Sequence, residues 1–449
     1  MSRWFRRRRG ARALYGGSPL RRAEWGMAGR YRRRVQRAVA AGIIAGVLGA
    51  GAGAWFLFIR DGGSPPSIGK PHRPRCPSAR LPGHLGRLAW VDAGKLQLLD
   101  LDTCRRTTLV RRGASRPVRF GPDGKWIAFG SRSVVSVTGR PLIGLAGRSD
   151  WEWSPVEKEL ARARVDGQLI LTDLDGRDQL LTDGASSPIA FSPDGQMVAF
   201  SRSNRLLAYS LRTARSTTLF VGPPKDLVDI AGWTPDGDWV LFWGHLPGHH
   251  AAPLNAAPIG GGGYHNVFDP VMPYRDFLSW CGGTMVFSGG GASSVSEGQQ
   301  LLTSAPPDWH PHNLSADFRS SWFWPACSPD GRWIAATVTP NSRELPPGEG
   351  RRSVWVVSID GTRRKRLAGG PGDAYEYPVW SSGGRLVMVV HRDRDPKSPG
   401  ELQIVRIDPK TGTVLGTTGP IAELPHSYGR RGHLIWSSTF DWFQHRAGG

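Results

Sequence analysis

The sequence predicts an all-β fold: a β-propeller of four-stranded antiparallel blades, eight of them with seven as the alternative, preceded by one transmembrane helix. Three observations predict it. The stretch Ile189 to Phe200, "IAFSPDGQMVAF", sets two short apolar runs around Ser-Pro-Asp-Gly. Pro presets the first central turn angle, Asp follows it readily and Gly takes the positive φ that closes a tight hairpin. This hairpin recurs along the chain, and residues 38–59 form an uncharged apolar run ahead of all the copies.

The N-terminal part is read first. Thirteen Arg and one Glu within residues 1–37 supply more than half of the formal net charge of +21, so the basicity is mostly that of a tail. The tail has too few apolar residues to fold alone and is expected to be disordered and cytoplasmic. Only 8 of the 58 basic residues are Lys, a bias that follows base composition more readily than phosphate recognition, and no nucleic-acid partner is expected. Residues 38–59, "AVAAGIIAGVLGAGAGAWFLFI", are long enough to cross a bilayer as one helix. They end in Trp-Phe-Leu-Phe-Ile and not in a small-residue cleavage site, which favours an uncleaved anchor over a signal peptide. The arginines before the helix put the N-terminus in the cytoplasm and the remainder outside the cell membrane, as a single-pass protein. Gly42, Gly46, Gly49 and Gly53 share one helix face, which permits close approach of a second copy and a homodimer. Residues 60–84 are a Pro- and Gly-rich tether.

The repeats occupy 85–445, leaving 446–449 as a short tail. Copies of the hairpin begin at Val118 ("VRFGPDGKWIAFGS"), Trp151 ("WEWSPVEKELARAR"), Ala231 ("AGWTPDGDWVLFW"), Leu278 ("LSWCGGTMVFSG"), Pro325 ("PACSPDGRWIAATV") and Pro378 ("PVWSSGGRLVMVV"). Their spacing, roughly 33 to 53 residues, suits propeller blades with insertions. A third strand, an Asp-Gly turn and a fourth strand follow most copies, as in "QLILTDLDGRDQLLT" and "SVWVVSIDGTRRKRL". The copies at Trp151, Leu278 and Pro378 lose part of Ser-Pro-Asp-Gly and should be the loosest matches; if the Leu278 copy is an insert, seven blades remain.

Aromatic-SPDG-x-x-IAF followed by DxDG and LT resembles the TolB-type, WD-like β-propeller repeat over roughly Leu85 to Phe443. The resemblance is specific for fold and nearly silent about function. It implies that Phe120, Trp153, Phe191, Trp233, Trp280 and Trp380 are blade-core aromatics, each burying a large area against a neighbouring blade. The first repeat lacks an inner strand, and "GHLIWSSTFDWF" from Gly432 is a strand with no blade to follow. Leu434 to Ser437, including Trp436, is therefore expected to complete the first blade.

Little chemistry is visible. There is no GxSxG elbow, and no room for a hydrolase domain beside the blades. His245, His249, His250, His265, His310 and His312 form a His-rich region without metal-ligand spacing, and no metal, cofactor or catalytic residue is expected. "DLDG" at Asp173 to Gly176 lies where an outer hairpin turns and is read as turn chemistry. Cys281 and Cys327 fall on inner strands of consecutive blades, and Cys76 precedes the blade that holds Cys104, so two disulfides are expected outside the cell. Long second connections near Thr339 and from His391, with the Gly-rich 244–263 stretch, mark one face for recognition. The functional expectation is a non-catalytic binding or scaffold module for an envelope protein, a peptide or a glycan. The alternatives are a ligand sensor signalling through the single helix and a metal-dependent propeller lyase or hydrolase.

Overall fold

The computed structural model describes residues 85–444, apart from 146, 148, 225, 246–251, 272–273, 291–298, 317–319, 341–351, 370–373, 385–386, 393–399, 419–420 and 425–435. The basic tail, the predicted span 38–59 with its glycine face, and the tether lie outside the described residues, as do Cys76, His249, His250 and most of the two long second connections. Among the described residues no helix is long and apolar enough to cross a membrane.

The described part is almost entirely antiparallel sheet: five four-stranded sheets, one five-stranded and one eight-stranded. The eight-stranded sheet is two meanders, Leu227 to Val271 and Leu278 to Asn313, joined by the pairing of Val271 with Gly289. The Leu278 copy that lacks Pro-Asp thus forms a regular strand pair, Leu278–Cys281 with Thr284–Gly289. The fifth strand of the five-stranded sheet, Ala422–Leu424, pairs with the start of Gly400–Ile407.

The turn motif works through its side chains. Ser192 Oγ donates to Asp194 Oδ1 (2.5 Å) and accepts from Met197 N (2.9 Å), while Gln196 N donates to the same carboxylate (3.0 Å). Gly195 stands at φ +71, and a Cβ there would come within 2.5 Å of Val156 in the neighbouring sheet. Thr234/Asp236, Ser328/Asp330 and Ser358/Asp360 repeat the arrangement. In each, the hydroxyl hydrogen bond is the main cause holding the carboxyl below its ordinary value, down to about 2 for Asp360.

Neighbouring sheets meet through their first strands, and the aromatic before the turn makes the contact. Trp153 Nε1 donates to Arg119 O (3.3 Å), Trp233 to Ala190 O (3.0 Å) and Trp380 to Ala326 O (2.9 Å), each across to the preceding sheet. Phe120, Trp153, Phe191, Trp233 and Trp380 are buried, whereas Trp280 is half-buried. Antiparallel four-stranded sheets packed by their first strands are those of a β-propeller.

The chain end differs from expectation. The strand that pairs with Arg87–Asp92 is Phe440–Phe443, further along than Leu434–Ser437. Trp436 is fully buried, but it opens a one-turn helix, Trp436–Thr439, ahead of that strand. The reason is packing. The helical turn tucks Trp436 among Tyr377, Phe440 and Leu88, and its indole N–H donates to Glu376 Oε2 (3.2 Å).

Cys281 and Cys327 are joined, with Cα atoms 5.3 Å apart, tying the first strands of two consecutive meanders. Cys104 is also disulfide-bonded. Because the Cys281–Cys327 bridge closes a 46-residue separation, replacing both cysteines by Ser should cost about 2–4 kcal/mol in denaturant unfolding. The Trp233→Phe change, which removes the indole donor while the Ala190 carbonyl keeps its ladder partner, should cost about 0.5–1.5 kcal/mol in the same measurement.

Candidate binding site along the first strands

A strand turns alternate side chains to opposite faces. Along the first strands the packed residues alternate with charged ones: Arg119 between Val118 and Phe120, Asp150 and Glu152 between Ser149, Trp151 and Trp153, Asp229 between Val228 and Ile230. Asp441 follows buried Phe440 on the closing strand. The apolar set wedges into neighbouring sheets, so the charged set faces the other way, toward the middle of the first strands.

A short insertion after His265–Val271 enters this space. It forms a 3-10 turn, Arg275–Phe277, that buries Phe277 against Phe323 and Trp324. Arg275 spans three sheets at once. Its guanidinium pairs with Glu152 (2.8 Å) and donates to Ile189 O (2.7 Å) and Ile230 O (3.3 Å). Asp276 accepts from Ser437 N (2.9 Å), and Asp441 accepts from Phe120 N (2.6 Å). Arg119 donates to Val118 O (2.8 Å) and to Ser437 O. Glu376, buried, pairs with Arg352 at 2.5 Å.

The electrostatics follow from crowding. Burial is the main cause raising the carboxyls of Asp150, Asp276 and Asp441 above the ordinary value, against the opposing pull of Arg275 or Arg119 and of hydrogen-bond donors. Burial also pushes the Tyr377 phenol up, with Asp276 adding to it. Asp150 differs from the others: its side chain is exposed to solvent although protein surrounds it closely. Here, then, a solvent-reached carboxyl stands beside acids that hold the first strands together.

The histidines are elsewhere. His265 is exposed and stacks edge-on with Trp239 at 5.3 Å between ring centres, and His310 and His312 are exposed. His245 ends the strand Trp239–His245. Among the described residues no three His, Cys, Asp or Glu side chains are grouped to hold a metal. Asp173 accepts from Asp175 N and Arg177 N, both at 2.9 Å, and so caps its own turn.

None of the charged first-strand residues was singled out from the sequence. The signal was present as alternation within "VRF", "SDWEW", "LVDIAGW" and "FDWF", where a charge interrupts an otherwise apolar strand. Arg275 and Asp276 carried no such signal, because they belong to an insertion outside the repeat.

No protein-family model matches the chain, and no curated protein does. Solved structures do. A dipeptidyl peptidase 4 from Porphyromonas gingivalis is 11% identical with a TM-score of 0.53, over 73% of this chain and 57% of that one. This chain therefore spans little more than half of that peptidase. A eukaryotic initiation factor is 14% identical with a TM-score of 0.54, over 78% of this chain and 91% of that one. A TolB from Acinetobacter baumannii, at 18% identity over 77% of this chain and 67% of its own, reaches a TM-score of only 0.35. At such identities the likeness is one of fold, and the fold is a β-propeller.

A carboxyl whose folded pKa lies above its unfolded one binds its proton more tightly in the fold. Stability then falls as pH rises from the unfolded value near 4 up through the raised one. Asp276 and Asp441 should therefore give an unfolding free energy that declines toward neutral pH. The Asp276→Asn and Asp441→Asn changes keep an acceptor oxygen and should flatten that slope in denaturant titrations at stepped pH.

Proposed function

We propose that this chain is a single-pass membrane protein whose extracytoplasmic part is an eight-bladed, TolB-like propeller that binds without catalysing. The closing strand and the meanders of the described residues add up to eight units, with the eight-stranded sheet counted as two. The anchor rests on the uncharged run 38–59 and on the arginines before it.

One observation carries the preference for binding over catalysis. The central acids are committed to architecture: Glu152 to Arg275, Asp276 to Ser437 N, Asp441 to Phe120 N and Glu376 to Arg352. A general acid or base needs a proton it can exchange with substrate in a defined pose. Carboxylates already spent on holding strands are poorly suited to that. Asp150, exposed and flanked by Glu152, is suited to meeting a cationic group, so a peptide segment of an envelope protein is favoured over a glycan. The oxidised Cys281–Cys327 pair agrees with an extracytoplasmic compartment.

Protease shaving of intact cells should remove the portion after the tether and spare the N-terminal tail; an untouched C-terminal portion would end the topological reading. Crosslinking of the full chain in its own envelope should recover a partner. The Asp150→Asn change should weaken that capture roughly tenfold, as expected for losing one charge-assisted contact. Undiminished capture by this variant would move the binding face away from the first strands.

A further inference from the structure

We propose that the propeller docks on the bilayer through a cationic sector at the outer turns of its last two blades, with anionic lipid headgroups as the occupant. The outer strand Arg364–Ala368 and the residue before it read Arg363, Arg364, Lys365, Arg366, and all four are exposed. Arg363 lies over the Trp333 ring at 5.0 Å, and Lys365 donates to the carbonyl of Lys410 in the outer turn of the next blade. Arg332, paired with Asp330 at 2.9 Å, adjoins them, since Ile359 N donates to Arg332 O (3.0 Å). The acids nearby, Asp330, Asp360 and Asp408, each accept hydrogen bonds within their own turns.

Protection of a free sheet edge does not account for this run. The other outer strands lie at comparable edges with far fewer charges. Leu142–Gly144 and Val414–Thr417 have none, Asp178–Thr182 has one acid, and Arg106–Val110 and Arg215–Val221 have one Arg each. No other described outer strand carries four consecutive cations; the nearest approach is Arg105 and Arg106 with Arg111 and Arg112 at the two ends of the first sheet's outer strand.

Where the chain enters the fold selects the occupant. In a four-stranded meander the first and third turns emerge on one face. The hydrogen bonds Val137 N to Lys125 O, Leu211 N to Gln196 O and Ile259 N to Asp238 O join them, as Ile359 N to Arg332 O does beside the cations. Leu85 and Gly86 lie on that same face, with Leu85 N donating to Asp102 (2.6 Å) and Leu101 N to Gly86 O (2.9 Å). Gly86 is required there: at φ +83, a Cβ would sit 2.0 Å from Phe443 O. Gln444, just beyond, reaches the last sheet through Trp380 O (3.0 Å). The tether therefore joins the face that carries the cations, in the sector beside them. A tether of about 25 residues reaches at most roughly 80–90 Å, enough for this face to meet the anchoring membrane. Each Lys or Arg near an anionic surface strengthens attachment roughly fivefold.

The inference rests on the anchored reading above, and its test separates the two. The full chain is placed in lipid discs that are either zwitterionic or contain about 30% anionic phospholipid, the composition that generates a surface potential. Amide exchange over residues 361–367 and 410–412 should slow roughly tenfold in the anionic discs only. Hairpins 93–95 and 203–205, on the opposite face, should not change. A variant carrying Arg332→Gln, Lys365→Gln, Arg366→Gln and Lys410→Gln should abolish the slowing, while Lys95→Gln with Arg205→Gln keeps it; thermal melts confirm that both variants fold. Equal exchange in the two discs overturns the docking. So does protection that appears only when an anionic polysaccharide is added. If the chain does not enter discs at all, the anchored reading falls. Docking is then judged by cosedimentation with vesicles of the same two compositions, where no preference for the anionic lipid overturns it.

Discussion

Everything in this molecule depends on one contact, the aromatic side chain before the turn packing against the neighbouring sheet, an indole in three of the sheets. A four-stranded meander has two apolar faces and cannot bury either by itself. The tryptophan resolves this twice over. Its ring supplies much of the buried area between sheets. Its N–H donates to a carbonyl of the adjacent first strand that already belongs to that sheet's ladder, using the oxygen's second lone pair. Trp153, Trp233 and Trp380 do this in the same way, reaching Arg119 O, Ala190 O and Ala326 O. The Cys281–Cys327 bridge occupies the equivalent position between two other sheets and replaces a directional hydrogen bond by a covalent one.

That packing has an electrostatic consequence. Once alternate side chains of the first strands are wedged outward, the remaining ones converge, and here they are charged. Burial desolvates these carboxyls, which is why Asp150, Asp276 and Asp441 hold their protons more firmly than usual, with Glu152 adding repulsion at Asp150 alone. Arg275 offsets part of this by pairing Glu152 while bracing two further strands through their carbonyls. The same residues therefore stitch the sheets and set the polarity of the surface that a ligand would meet. The surface there is partly acidic and lined by groups with structural duties.

The two charge patterns of the chain divide by location. Acids gather on the first strands, where backbone donors and Arg275 are at hand, and cations gather on one outer edge, where solvent or a charged surface meets them. A strongly basic composition is thus compatible with an acidic centre. Summing charges along the chain could not have separated the two.

Much of the fold was legible because its determinants are local. Ser-Pro-Asp-Gly spells a turn by its own torsions and hydrogen bonds, and strands on either side alternate as a sheet requires, so the repeating meanders could be read directly; Phe120, Trp153, Phe191, Trp233 and Trp380, picked out through the family resemblance, are buried. Trp280 and Trp436 were less legible. The first stays half-exposed, and the second was assigned to a strand, although its burial in a helical turn depends on Tyr377 and Glu376, which belong to another sheet, Glu376 lying 60 residues earlier. The sequence by itself determined the repeat, the turns, the two-sided apolar strands and the apolar run ahead of them, because these follow from neighbouring residues. Only the tertiary structure decided which strand completes the first sheet, that Arg275 binds three sheets, and which carboxyls crowd together, because these depend on distances between segments that no local pattern encodes.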